Sequence, residues 1–185
     1  EGKDIYAFYV RKWYGIDPTD DSALYYANPG TTTDTRVGPK GELLTFNSSF
    51  AEYDYAGTAI PKFFGSITNT VSVKNISLSF LLNYQVGGKF YDGEYAGLMG
   101  VSYGRALHAD NLRAWTKPGD VTDIPRLDIN KTGQFNAASD RWLIDASYLN
   151  IRNLTLSYML PKSLLGKIGF DQARVYVSGE NLYIF

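Results

Sequence analysis

The sequence predicts an all-β fold: a partial antiparallel transmembrane β-barrel with long extracellular loops. Three observations lead there. Two windows are almost free of charge, one of them reads as a hairpin of unusually long strands, and long polar stretches separate the strands. The 185 residues include 18 basic and 19 acidic side chains. Yet Phe63–Gly88 holds a single charge, Lys74, and Ala146–Pro161 holds only Arg152. A water-exposed segment carries more charge than this, so each window faces something other than plain water on at least one side.

The first window alternates with period two. Phe63, Ile67, Val71 and Val73 share one face, and Ser66, Thr68, Thr70 and Ser72 share the other. After Lys74-Asn75 the pattern resumes, with Ile76, Leu78, Phe80, Leu82, Tyr84 and Val86 against Ser77, Ser79, Asn83 and Gln85. This period is that of a strand. A two-residue turn, with Asn75 tolerating a positive φ, sets Val73 against Ile76, Val71 against Leu78 and Ser72 against Ser77. Gly65 then falls opposite Tyr84, and Asn69 and Leu81 sit on the faces that do not suit them. Eleven residues at about 3.4 Å each give about 37 Å, or roughly 26 Å along a bilayer normal at a tilt of about 45°. Periodicity alone leaves a soluble β-sandwich carbohydrate-binding module open, with Ile67, Val71, Leu78 and Leu82 in a closed core. The uncharged Ser/Thr/Asn face argues against it.

The second window reads as a strand over 148–160. Leu154, Leu156 and Tyr158 alternate with Asn153, Thr155 and Ser157, while Leu149 and Ile151 are out of phase with them, which predicts a bulge near Arg152. Pro161–Gly169 predicts a connector with one short helical turn, and a last strand runs from about Ala173. The polar stretches 15–61 and 87–147 show no helical period. Loops of such length are uncommon in compact soluble domains, and the contrast with short turns matches outer-membrane barrels.

Composition narrows the function. A net charge of −1 argues against nucleic acid as a partner. The absence of cysteine removes disulfides, thiolate metal sites and thiol nucleophiles. Asp17, Asp20 and Asp21 lack the glycine and distal glutamate of a calcium loop and read as a turn. His108, the one histidine, lies in a polar loop without a serine motif, and Gly97-Leu98-Met99-Gly100 is not a phosphate loop. No cofactor, metal or catalytic constellation emerges; the many carboxylates leave a glycan-hydrolase fragment open, but no spacing singles out a pair. Aromatic rings in 87–147 are the positive feature: Phe90, Tyr91, Tyr95, Tyr103, Trp115 and Trp142. With Asp92 beside them, they can stack on a ligand, meet a partner protein or pack on each other. Trp115 is the leading candidate for such contact.

Several segments resemble the SusC/RagA family of TonB-linked outer-membrane proteins. They are Ala59-Ile60-Pro61-Lys62-Phe63, Ile76–Phe80 with the turn before it, and Gly87–Gly93. Trp115–Asp120 with Thr122–Arg126, Asp145–Tyr158 with Leu160-Pro161, and Arg174–Leu182 continue the match in the family's order. The resemblance implies the C-terminal part of a barrel of about 22 strands, ending a few strands short of its terminus. It also implies a SusD-like surface lipoprotein as partner, TonB acting through a plug domain absent from this chain, and uptake of oligosaccharides or, in some members, peptides. On this reading 1–61 is mostly extracellular loop, 62–86 a transmembrane hairpin, 87–147 a long extracellular loop, and 148–185 transmembrane strands with a periplasmic turn at 161–169. Ile67, Val71, Val73, Ile76, Leu78, Phe80 and Leu82 face outer-membrane lipid, and Ser66, Thr68, Thr70, Ser77 and Asn83 face the lumen.

Overall fold

A computed structural model describes residues 2–166 and 169–185. The first sixty residues carry six short strands: β1 (Ala7–Arg11), β2 (Trp13–Ile16), β3 (Ala23–Tyr26), β4 (Thr35–Val37), β5 (Leu43–Thr45) and β6 (Tyr53–Thr58). Two eleven-residue strands follow, β7 (Phe63–Val73) and β8 (Ile76–Val86). Then come β9 (Lys89–Tyr91), α1 (Gly93–Met99), α2 (Thr132–Phe135) and β10 (Leu143–Asp145). After them lie β11 (Tyr148–Met159), α3 (Lys162–Leu165) and β12 (Arg174–Ile184). The chain divides into two compact units, Glu1–Ala59 with Lys89–Ile144, and Ile60–Gly88 with Asp145–Phe185.

The second unit is one antiparallel sheet in the order β12-β11-β8-β7. The hairpin register is the expected one: Val73 pairs with Ile76, Val71 with Leu78, Ile67 with Leu82 and Phe63 with Val86. One detail of the turn differs. The positive φ falls on Lys74, at 53°, while Asn75 donates a side-chain hydrogen bond to the Met159 carbonyl at 2.9 Å. The amide is therefore used to tie the turn to β11, not to relieve its backbone.

The phase inversion in β11 is a bulge at Arg152, which interrupts the register toward both β8 and β12. The extra residue brings Leu149 and Ile151 onto the face of Leu154, Leu156 and Tyr158, opposite Tyr84, Leu82, Phe80, Leu78 and Ile76. The helical turn α3 follows Pro161 as expected; positions 167–168 of that connector lie outside the described residues. The register places the Lys74-Asn75 turn and this connector at one end of the sheet. The links to the first unit all leave from the other end, near Phe63, Val86 and Tyr148. A closed sandwich core does not form: Ile67 is 51% exposed, Val71 52% and Leu78 38%.

The stretches 15–61 and 87–147, which show no helical period in the sequence, contain short strands and two short helices in the first unit. It holds a four-stranded sheet ordered β2-β3-β5-β4, two-stranded ribbons β1-β6 and β9-β10, and the helices α1 and α2. Its core gathers Ala23, Tyr25, Ala51, Ala96, Met99, Ile124, Phe135 and Trp142, with Trp13, Tyr91 and Tyr95 packed against it. Most strands here have only three to six residues, too few for period two to stand out, and tertiary packing decides their structure.

Candidate functional site

The long-stranded sheet presents two chemically distinct faces. On one, hydroxyl meets hydroxyl across the strands: Thr70 donates to Ser79 at 3.0 Å, and Ser72 and Ser77 lie 2.8 Å apart. Thr155 and Ser178 are also 2.8 Å apart. Such cross-strand pairs are the unit of sheet stabilisation. The face encloses a concavity of about 570 Å³ lined by Thr70, Ser77, Ser79, Thr155 and Ser157, with Lys74 and Arg174 also at its wall. It is rich in hydroxyl donors and acceptors and suits a polar solute or a polar protein segment. Leu81, opposite Thr68 and Asn153, interrupts this face, as Asn69 opposite Phe80 interrupts the other. The other face carries Ile67, Val71, Val73, Ile76, Leu78, Phe80 and Leu82, an apolar surface broken only at Asn69 among these two strands.

In the first unit, four of the six candidate contact residues come together at α1. Asp92 caps the helix, its carboxylate accepting from the Tyr95 amide at 2.9 Å, while its own N–H donates to the Trp142 carbonyl at 2.9 Å. Trp142 is 1% exposed and meets Phe135 and Tyr95 edge-on at 5.7 and 6.0 Å. Tyr91 and Tyr95 are half-buried against the same core. Trp115 lies apart. It is 6% exposed, its indole N–H donates to the Pro18 carbonyl at 3.1 Å, and the Arg126 guanidinium stands 5.8 Å from its ring. Both tryptophans therefore spend their ring faces on packing. Tyr103, at 87% exposure, and Phe90 are the rings turned to solvent.

The acidic turn is built as the sequence suggests and divides into two ion-pair groups. Asp17 Oδ1 accepts from the Thr19 amide at 2.8 Å. Arg36 clasps Asp17 at 2.5 Å and pairs bidentately with Asp20. Its hydrogen bonds to Asp20 hold that carboxyl down at about 2. Burial pushes the Asp17 carboxyl up, but hydrogen bonds from Thr19 and Arg36 outweigh this and leave it lowered. Asp21 points away, fully buried, with Lys131 at 2.6 Å and Arg126 at 3.4 Å. His108 does structural work: its Nδ1 accepts the Asp110 amide at 3.1 Å. The Tyr95 hydroxyl donates to Asp110 at 2.7 Å and lowers its carboxyl.

Arg141 is the residue that composition and spacing conceal. Its guanidinium lies 4.9 Å from the Trp13 ring, 4.7 Å from Phe135 and 4.9 Å from Trp142. Burial lowers its pKa, and Asp123 is its nearest anion at 3.5 Å. Only its place in the Asp140-Arg141-Trp142 run could have pointed to it. Among the described residues no three His, Asp or Glu side chains converge as metal ligands.

No family model matches the chain. The structure superposes on the RagAB peptide transporter with a TM-score of 0.75 and 27% identity, covering 97% of this chain and 19% of that one. The whole chain is 30% identical to TonB-dependent receptor P3 of Formosa agariphila, covering 18% of it. The chain is thus similar to TonB-dependent receptors of the SusC/RagA kind, as its motifs imply. TonB-dependent receptor P39 of the same organism is 26% identical over 70% of the chain. The RagAB peptide importer in its "open-open" state matches with a TM-score of 0.65. The chain spans less than a fifth of the length of these relatives. Its four-stranded antiparallel sheet is a segment of a barrel wall.

Proposed function

We propose that the chain supplies barrel wall and extracellular structure to an outer-membrane importer driven by TonB. The apolar face of β7 and β8, with Leu154, Leu156 and Tyr158, lies against lipid, and the hydroxyl face lines the lumen. The first unit is the extracellular part, and Tyr103 and Phe90 are its exposed aromatics for meeting ligand or a SusD-like surface lipoprotein. TonB acts through a plug carried outside this chain. Among the two cargo classes the family resemblance implies, the similarity to peptide importers favours a peptide over an oligosaccharide.

The observation that carries this reading is the sheet itself: eleven-residue strands with one neutral polar face and one exposed apolar face. In water that apolar surface would be a liability, whereas in lipid it is the required exterior. The test compares Phe80→Lys with Ser79→Lys, each in the full-length receptor. A charge on the lipid face near the midplane costs about 2–4 kcal/mol, so F80K depletes folded receptor from the outer membrane and S79K does not. Equal yields of the two variants would overturn the assignment.

A further inference from the structure

The two stretches that make up the first unit, Glu1–Ala59 and Lys89–Ile144, are separated in the sequence by the whole β7–β8 hairpin. Long surface loops are the mobile parts of a fold, and connectivity alone does not require two of them to move together. Here they are joined at three places, each by contacts made within this chain. At the first, the later stretch grips the turn between β2 and β3. The Pro18 carbonyl accepts from the Trp115 indole N–H at 3.1 Å and from the Gly119 amide at 2.8 Å. In the same turn the buried Asp21 carboxylate receives Lys131 at 2.6 Å and Arg126 at 3.4 Å. At the second, the Trp13 amide donates to Asp140 Oδ1 at 2.8 Å, and the Arg141 guanidinium lies 4.9 Å from the Trp13 ring. At the third, Gln134 is used twice. Its carbonyl accepts from the Tyr25 hydroxyl at 2.5 Å, and its side-chain oxygen accepts from the Ser48 amide at 2.7 Å.

Packing closes over these joints. The shared core takes Ala23, Tyr25 and Ala51 from the earlier stretch and Ala96, Met99, Ile124, Phe135 and Trp142 from the later one. Tyr25 is the only large side chain among the first three, and its hydroxyl is satisfied by the later stretch. A partial separation would leave the Asp21 carboxylate and the Tyr25 hydroxyl without partners before water could replace them. Such states are costly, which favours all-or-none opening.

We propose that the two stretches open and move as one body, so that a contact made on either is felt in both. Phe90 and Tyr103, exposed rings of the later stretch, are thereby coupled to the earlier stretch, which runs directly into β7. The joints lie wholly within the chain and are the same whichever cargo the receptor takes.

The test is native-state hydrogen exchange of the full-length receptor in lipid vesicles, read by mass spectrometry over a series of urea concentrations. The slowest amides of 13–26 and of 132–143 should merge onto one opening, with one free energy and one dependence on urea. W115F keeps a ring in place and removes the N–H that reaches Pro18. Loss of that one hydrogen bond should speed the slowest amides about fivefold, in both stretches alike. If one stretch exchanges at urea concentrations at which the other stays protected, or if W115F speeds only the later stretch, the two move independently and the inference falls. The barrel-wall assignment would stand in that case, since it is read separately by F80K and S79K.

Discussion

Tyr84 stands directly opposite Gly65, with its Oη 2.8 Å from the place a Cβ on Gly65 would occupy. The ring covers bare backbone and meets Phe63 edge-on at 6.2 Å. Glycine is needed here for close approach, since its φ is not in the left-handed region.

Gly65→Ala therefore pushes the Tyr84 ring off this contact and destabilises the hairpin by about 1 kcal/mol, the scale of one cross-strand pair. In a Tyr84→Ala background the same change is close to neutral, because the obstructing atoms are gone. Urea unfolding of the four members of this cycle, in lipid vesicles, reads the coupling directly.

Arg141 tests how the extracellular unit is held. Arg141→Ala removes a stem and a guanidinium packed on three rings and costs about 2–3 kcal/mol. Arg141→Met keeps most of the packing and loses the ring–cation attraction and the pair with the exposed Asp123, so it costs less. Hydrogen exchange of the Tyr25 and Trp142 amides in the receptor should show the same order of lost protection.

The Asp17–Arg36–Asp20 clasp predicts acid sensitivity. The Arg36 guanidinium holds the folded Asp20 carboxyl at about 2, below the usual carboxylate range. A depressed carboxyl contributes stability that is present above the unfolded value and lost as pH falls through the folded one. Hydrogen-exchange protection of 17–37 should therefore decline between about pH 4 and pH 2. Arg36→Gln lowers protection at neutral pH and flattens that decline, whereas an unchanged pH profile would exclude the clasp as its source.

The long strands were legible because period two persists over eleven residues and a two-residue turn leaves one register. The bulge was legible for the same reason, since Leu149 and Ile151 break the phase of Leu154. The folded extracellular unit was not legible. Its strands are short, and its core joins Trp13, Tyr25, Phe135 and Trp142 across more than a hundred residues of chain. The aromatic candidates were visible as a set, but their division was not. Trp142 and Tyr95 converge with Asp92 on α1, Trp115 packs against Pro18, and Tyr103 stays in solvent. Asn75 was chosen for its backbone tolerance, whereas the strained φ belongs to Lys74 and the amide bonds β11.

The two-faced wall is tested most directly by a cysteine scan in a receptor from which any cysteine outside this cysteine-free segment has been removed. Single cysteines at Ile67, Val71, Val73, Ile76 and Leu78, and at Ser66, Thr70, Ser72, Ser77 and Ser79, would each carry a fluorophore in the full-length receptor in vesicles. The first set should be quenched by a lipid-borne quencher and not by an aqueous one, and the second set should not be quenched by the lipid-borne one. Loss of that alternation, or aqueous quenching of both sets, would contradict the barrel-wall account.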